Sequence, residues 1–303
     1  MTPWVLRRCL NAVLLLVGVS VFSFLLGRIA PGSFFDDLKL NPRISPETIA
    51  RLESRYGLGR PFVTRYCAWA ASAARGDFGT SVAYQRPVAE IVWPRARNTL
   101  ALTGAAGLLT WILALPLGIL AAARPRGFID RSASSFSALF VSVPELILSL
   151  LLLYAVVRIG LPALIASPAL PLAVLTAGGF PIVFRHTRAA AAEAEAAPYV
   201  RAARAHGIVG PRLWLRYILP GAAHPLLSLM GLWIGGLIGG SLLVETVFGR
   251  PGLGPLFLEA VSSRDLDIVT AVMLLSAAFL VTGNLAADLL LGMLDPRVRV
   301  VRQ

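Results

Sequence analysis

The chain predicts an all-α polytopic membrane protein of six spans, with a small helical insertion after the first. Three observations carry that expectation. Of its 303 residues, 56% are hydrophobic, and mean hydropathy is +0.73, whereas soluble domains stay near about 45–50% apolar. Six stretches reach the roughly 20 apolar residues that a bilayer crossing takes. Arginines mark one end of these stretches far more than the other.

The first stretch, 9–27, carries no charge. It is long for the apolar core of a cleaved signal peptide and lacks an Ala-x-Ala exit, so it reads as a retained anchor. Residues 28–97 form an external segment with helix signals. Ser45-Pro46-Glu47 supplies an N-cap, a proline at the first helical position and an acid in the first turn; Ile49, Leu52 and Tyr56 follow, and Gly57 ends the pattern. A second helix is expected from Pro61 to Ala74, broken at Gly76-Asp77-Phe78-Gly79, and a third stretch from Pro87 to Ala96 leads into the next span. About seventy residues suffice for a helical cap but hardly for an independent enzyme domain.

The second stretch, 98–123, is uncharged, and 132–157 holds one acid, Glu145, preceded by Pro144. Prolines 162, 168 and 171 make the entry to the next stretch, 159–184, irregular. Non-helical backbone at membrane depth needs protein or water around it, so this part either lines a cavity or forms an interfacial loop. The fifth stretch, 217–244, contains only His224 as a polar ionisable group, and the sixth, 268–287, is followed by Asp288. The expected organisation is therefore residues 1–27, 28–97 and a five-span core at 98–303.

Orientation follows from the arginines. Arg7, Arg8, Arg124, Arg126, Arg131, six within 185–216, and Arg297, Arg299 and Arg302 fall on one side. The short loops opposite hold Arg158, Arg250 and Arg264. Both termini and the 185–216 loop are thus expected on the cytoplasmic side. The formal charge of +12 follows from this bias and does not call for nucleic acid. Cys9 lies in a span and Cys67 outside, so the two cannot easily pair.

Residues 185–216 form the most informative loop. Residues 189–205 are rich in helix formers, Pro198 divides them, Gly207 provides a stop, and Pro211 opens a second helix where its missing N–H costs nothing. A hydrophilic helix at a membrane surface suits a protein partner, although a solvated linker has the same composition.

Here the chain resembles the inner-membrane permease subunits of bacterial ABC importers, the dipeptide/oligopeptide/nickel group in particular. That group ends its loop in Tyr-x-Arg-x-Ala-Arg-Ala-x-Gly, matched by Tyr199, Arg201, Ala203, Arg204, Ala205 and Gly207. The general importer motif is Glu-Ala-Ala, three residues, Gly. Counting back from Gly207 places Arg201 at the Glu position and Ala202-Ala203 behind it, so the literal Glu195-Ala196-Ala197 is set aside. His206 stands where lysine is common. Further matches run in order: Tyr56-Gly57-Leu58-Gly59-Arg60-Pro61, Gly76-Asp77-Phe78-Gly79-Thr80-Ser81, Arg86-Pro87-Val88, Asn98-Thr99-Leu100, the segment 244–254, Ser263-Arg264-Asp265, Asn284, Asp288 and Asp295-Pro296-Arg297.

The resemblance implies a type I importer permease fold, pairing with a second homologous permease, one ATPase docked on each loop and an extracytoplasmic binding protein. It implies that Tyr199, Arg201, Ala202, Ala203, Arg204, Ala205, His206 and Gly207 couple to the ATPase, with Arg201 and Arg204 on one face toward its acids. Glu145, with Pro144, is a pathway-lining candidate because intramembrane charge is costly and by default functional; pairing with a neighbouring subunit is the competing reading. Glu245, at the outer edge of the fifth stretch, is expected either to face the binding protein or an external gate, or to serve packing. The substrate stays open among dipeptides, oligopeptides, nickel and metal chelates, with a slight lean to nickel from Asp77–Val88 and 234–248.

No catalytic apparatus is expected. The single lysine, Lys39, is external, and no Gly-x-x-x-x-Gly-Lys-Ser/Thr cradle occurs. His186, His206 and His224 lack ligand spacing, so neither metal nor cofactor is expected. A stand-alone secondary transporter would show internal repeats, which are absent here, and an integral membrane hydrolase would need a nucleophile–base constellation that the spans do not offer.

Overall fold

A computed structural model describes residues 2–29, 47 and 61–294. The expected helix after Ser45, the Tyr56–Arg60 match and Asp295-Pro296-Arg297 lie outside the described residues. The described residues are helical, in the order α1 (Thr2–Ile29), α2 (Phe62–Ala73), α3 (Val88–Ala123), α4 (Phe128–Ser142), α5 (Glu145–Ile159), α6 (Pro162–Ala166), α7 (Ala169–Ala196), α8 (Pro198–Ala205), α9 (Pro211–Leu213), a π turn (Trp214–Ile218), α10 (Leu219–Val247), α11 (Leu253–Ser262) and α12 (Leu266–Leu294).

Four of these, Leu6–Gly27, Val88–Ala123, Ala169–Ala196 and Leu266–Leu289, are long and apolar enough to cross a membrane. The bent pair α4 and α5 makes a fifth. The expected span 217–244 falls on the 29-residue α10, part of whose side chains lie outside the described set. The all-α membrane class therefore stands, with four to five spans among the described residues, but three boundaries differ. The stretch 132–157 is not one rod: Val143 and Pro144 are extended, and the chain turns by 100° between α4 and α5. The stretch 159–184 begins only at Ala169 and runs on to Ala196. The helix expected from Pro211 does not stop; the π turn carries it into α10.

The described residues fall into two compact units, one of 2–6, 99–250 and 279–294 and the other of 7–29, 47, 61–98 and 251–278. In the first, α7 packs along α4, α5 and α10. Its core holds Ala106, Ala114 and Ala121 from α3, Val174, Leu175, Val183 and Phe184 from α7, and Trp233 from α10. Small residues bring the helices close, as expected where packing rather than water expulsion drives association in lipid. A Cβ on Gly118 would lie 2.7 Å from the Thr187 Cβ.

In the second unit, Phe24 of α1 meets Phe62, Tyr66 and Trp69 of α2 in an aromatic cluster. Ser23 Oγ donates to Thr270 Oγ1 at 3.1 Å. The turn 76–87 is pinned by the buried Asp265: Ser81 Oγ donates to its Oδ2 at 2.6 Å, the Ala83 N–H to the same oxygen at 3.1 Å, and the Ile268 N–H to Oδ1 at 3.3 Å. Asn98 Nδ2 donates to the Pro251 carbonyl at 2.7 Å, holding the loop before α11. These contacts give Asn98, Ser81 and Asp265, three of the motif residues, a shared structural task.

Candidate coupling and pathway site

At Ala197 the chain turns extended (φ −64, ψ 147) between α7 and α8, and Pro198 takes the first helical position. The periodicity of α8 then sorts its residues. Val200 and Ala203 are buried against Ala190 and Ala194 of α7, Leu213, Ile218, and Ala222 and Leu226 of α10. Arg201, Ala202, Arg204, Ala205 and His206 are exposed. Gly207 adopts φ +80; its N–H donates to the Arg204 carbonyl at 2.9 Å and the Ile208 N–H to the Ala203 carbonyl at 3.1 Å. This left-handed closure satisfies two end carbonyls and favours glycine.

Tyr199 stays half exposed, yet its hydroxyl lies against Gly221 of α10, in space that any side chain at 221 would take. The short helix is therefore seated on both α7 and α10. Arg204 forms an ion pair with Glu195, near the end of α7. Arg204, expected with Arg201 to face a partner's acids, is exposed and also pairs within the chain. The literal Glu195-Ala196-Ala197 is out of register for the motif, but Glu195 secures the short helix and Ala197 makes its entry hinge. Those two roles escaped the sequence reading.

Pro144 caps α5 with φ −56 and ψ 141. As the residue before a helix with extended backbone, it fixes the break, and Glu145 becomes the first helical residue. The half-buried Glu145 side chain points between α7 and α10. A Cβ on Gly178 would lie 2.5 Å from Glu145 Oε1, and one on Gly240 would meet Oε2. Glycine at both positions makes the slot. Among the described residues no hydrogen-bond donor or cation meets this carboxylate. Of the two readings of Glu245, burial favours packing: it is 1% exposed within α10, and its carbonyl accepts the Arg250 N–H at 2.8 Å. It presents no surface to a binding protein.

The slot gives a direct test. Gly240→Ala should cost about 1–3 kcal/mol of stability, the usual penalty of overpacking, because the new methyl displaces the Glu145 carboxylate. Adding Glu145→Ala should recover most of it. Thermal unfolding of the three detergent-solubilised variants would read the coupling, and additive losses would refute the wedge.

A helical membrane unit with a broken span, an interior carboxylate and an exposed helix seated on two spans defines a membrane transport component. The chain belongs to the family of binding-protein-dependent transport system inner membrane components, whose model matches residues 114–300. It is 32% identical to the oligopeptide transport system permease protein AppB of Bacillus subtilis, covering 98% of this chain and 99% of that one. It is 31% identical to the oligopeptide transport system permease protein OppB of Salmonella typhimurium, covering 99% of this chain and all of that one. Among solved structures it is similar to an inward-facing conformation of the MetNI methionine ABC transporter, with a TM-score of 0.53, 23% identity, and 68% and 96% of the two chains covered. That likeness bears on the fold. The chain is a permease subunit of an ABC importer, a transport component rather than an enzyme.

Proposed function

We propose that this permease pairs with a second, homologous permease to carry oligopeptides inward, delivered by an extracytoplasmic binding protein. ATPase subunits dock on α8, and both termini are cytoplasmic. The observation that carries the reading is α8 itself: an exposed helix with Arg201 and His206 outward, seated on α7 and α10, so that a push on it reaches two spans. Binding energy spent in the ATPase can then favour one of two membrane states. Tyr199, Ala203 and Gly207 hold the element in register, and Arg201, Ala202, Ala205 and His206 form its contact face. Glu145 and Pro144 border the pathway, where the span breaks. The peptide names of the relatives above favour oligopeptides over nickel.

The test is reconstitution of the purified complex in proteoliposomes with labelled short peptides, and separately with nickel. ATP-dependent peptide uptake is expected. Uptake driven by an ion gradient without any ATPase would instead make the chain a secondary transporter, and peptide-bond cleavage would make it a hydrolase. In the same complex, a cysteine at Arg201 should crosslink to the ATPase subunit and resist impermeant thiol reagents added from outside. Labelling from outside would reverse the topology.

A further inference from the structure

Asp130 is an acid that neither the motif nor the pathway uses. It lies in the first turn of α4 and is only 5% exposed. Arg188, in the last third of α7, pairs with it: Nη2 donates to Oδ2 at 3.0 Å, and Nε lies 2.7 Å from Oδ1 as a charge contact without hydrogen-bond alignment. The Arg126 N–H donates to Oδ2 at 2.8 Å and Ser134 Oγ to Oδ1 at 3.3 Å. A carboxylate with this many donors has one place to sit. Two further ties join the same helices: Arg185 Nε donates to Ser137 Oγ at 3.0 Å, and the Phe136 and Phe180 rings meet edge to face with centroids 5.3 Å apart.

These ties lie on one mechanical line. Arg188 stands on α7 ten residues before Pro198 opens α8. The α4 helix ends at the Pro144 break, where Glu145 enters the slot between Gly178 and Gly240. A displacement of α7 is therefore shared by α4 at its Asp130 end, and α4 delivers it to the break.

We infer that the Asp130–Arg188 pair is a strut that makes α4 follow α7, so that motion imposed at α8 reaches the broken span; both are positioning residues for transport. The inference rests on the permease reading above. A charge-assisted hydrogen bond from Arg188 Nη2 to a carboxylate that the Arg126 N–H and Ser134 Oγ already fix in place sets orientation as well as distance, which a transmission element needs. Truncating Arg188 leaves the buried Asp130 charge without its cation, so a neutral pair is the cleaner comparison.

The experiment measures peptide taken up per ATP hydrolysed in proteoliposomes holding the whole importer, with binding protein and a labelled tripeptide. The variants are Asp130→Asn, Arg188→Lys and the neutral pair Asp130→Asn with Arg188→Gln. The strut predicts that the ratio falls at least tenfold in Asp130→Asn and the neutral pair, and several-fold in Arg188→Lys, while hydrolysis per assembled complex changes less than about twofold. A ratio equal to wild type in the neutral pair would overturn the inference and leave the pair a packing contact, whatever the yield of protein. Should Asp130→Asn not assemble, the lysine variant decides, because it keeps both charges and loses the planar guanidinium that carries the Nη2 hydrogen bond. Absence of ATP-driven uptake in the wild-type complex would sink the permease reading instead, so the two failures are distinguishable.

Discussion

Gly207→Asp should reduce ATP-driven uptake to background while the protein still inserts and assembles as a membrane component. Gly207 closes α8 with φ +80, and no heavy atom lies within 4 Å of where a Cβ would stand. The substitution thus meets no clash, and its conformational cost is about 1–2 kcal/mol, too little to unfold the chain. What changes is the end of α8. A carboxylate there meets the negative pole of the helix and sits beside the outward face of Arg201, Ala205 and His206. Strain of the left-handed closure would also move the Arg204 and Ala203 carbonyls that it satisfies. Gly207→Asn is the control, because asparagine accepts this backbone and adds no charge. Uptake within about threefold of wild type is expected for Asn, against a loss of more than tenfold for Asp. Normal transport by a well-expressed Gly207→Asp protein would count decisively against coupling through α8.

Asp265→Ala should be among the most destabilising single changes in the unit that contains α1 and α2. The carboxylate collects Ser81 Oγ, the Ala83 N–H and the Ile268 N–H, and both Ser81 and Asp265 are fully buried. Removing it strands the buried Ser81 hydroxyl and Ile268 N–H. Hydrogen bonds to a charged group are worth about 1.5–3 kcal/mol each, so a loss on the order of 3–5 kcal/mol is expected, with the turn 76–87 released from the start of α12. Asp265→Asn should recover part of it, since one oxygen remains to accept. Thermal unfolding in detergent and protease sensitivity of residues 76–87 would measure both. An Asp265→Ala protein as stable as wild type would show that the turn is held by other means.

Much of this architecture was legible from local chemistry. Pro198 divided the loop helix where its missing N–H requires it, Gly207 stopped α8 through its positive φ, and Gly76 and Gly79, at φ +85 and +92, broke the chain after α2, whereas the break at Pro144 was not expected inside an apolar run long enough to span. Boundaries set by polarity were less legible. Residues 185–196 read as loop because arginines and glutamates begin there, yet their alanines let α7 continue, and its burial against α10 rewards the continuation. Long-range pairs left almost no trace: Asp130 and Arg188 are 58 residues apart, and Glu145 reaches glycines on two other helices. A lone acid three residues after Gly127, at a helix start, was the one available hint for Asp130. The pairing of Arg204 with Glu195 was hidden because the motif register directed attention away from Glu195.

The π turn at Trp214–Ile218 bears on how this chain tolerates changes in length. A π turn accommodates one residue more than an α-helix does over the same bonds. Deleting a residue within it would restore regular bonding, and each α-helical residue turns the axis by about 100°. The rest of α10 would rotate by that angle against the elements before it. Gly221 would leave the Tyr199 hydroxyl, and Gly240 would leave Glu145. Two glycines on one helix thus share one phase, and five ordinary-looking residues keep the clock that sets it.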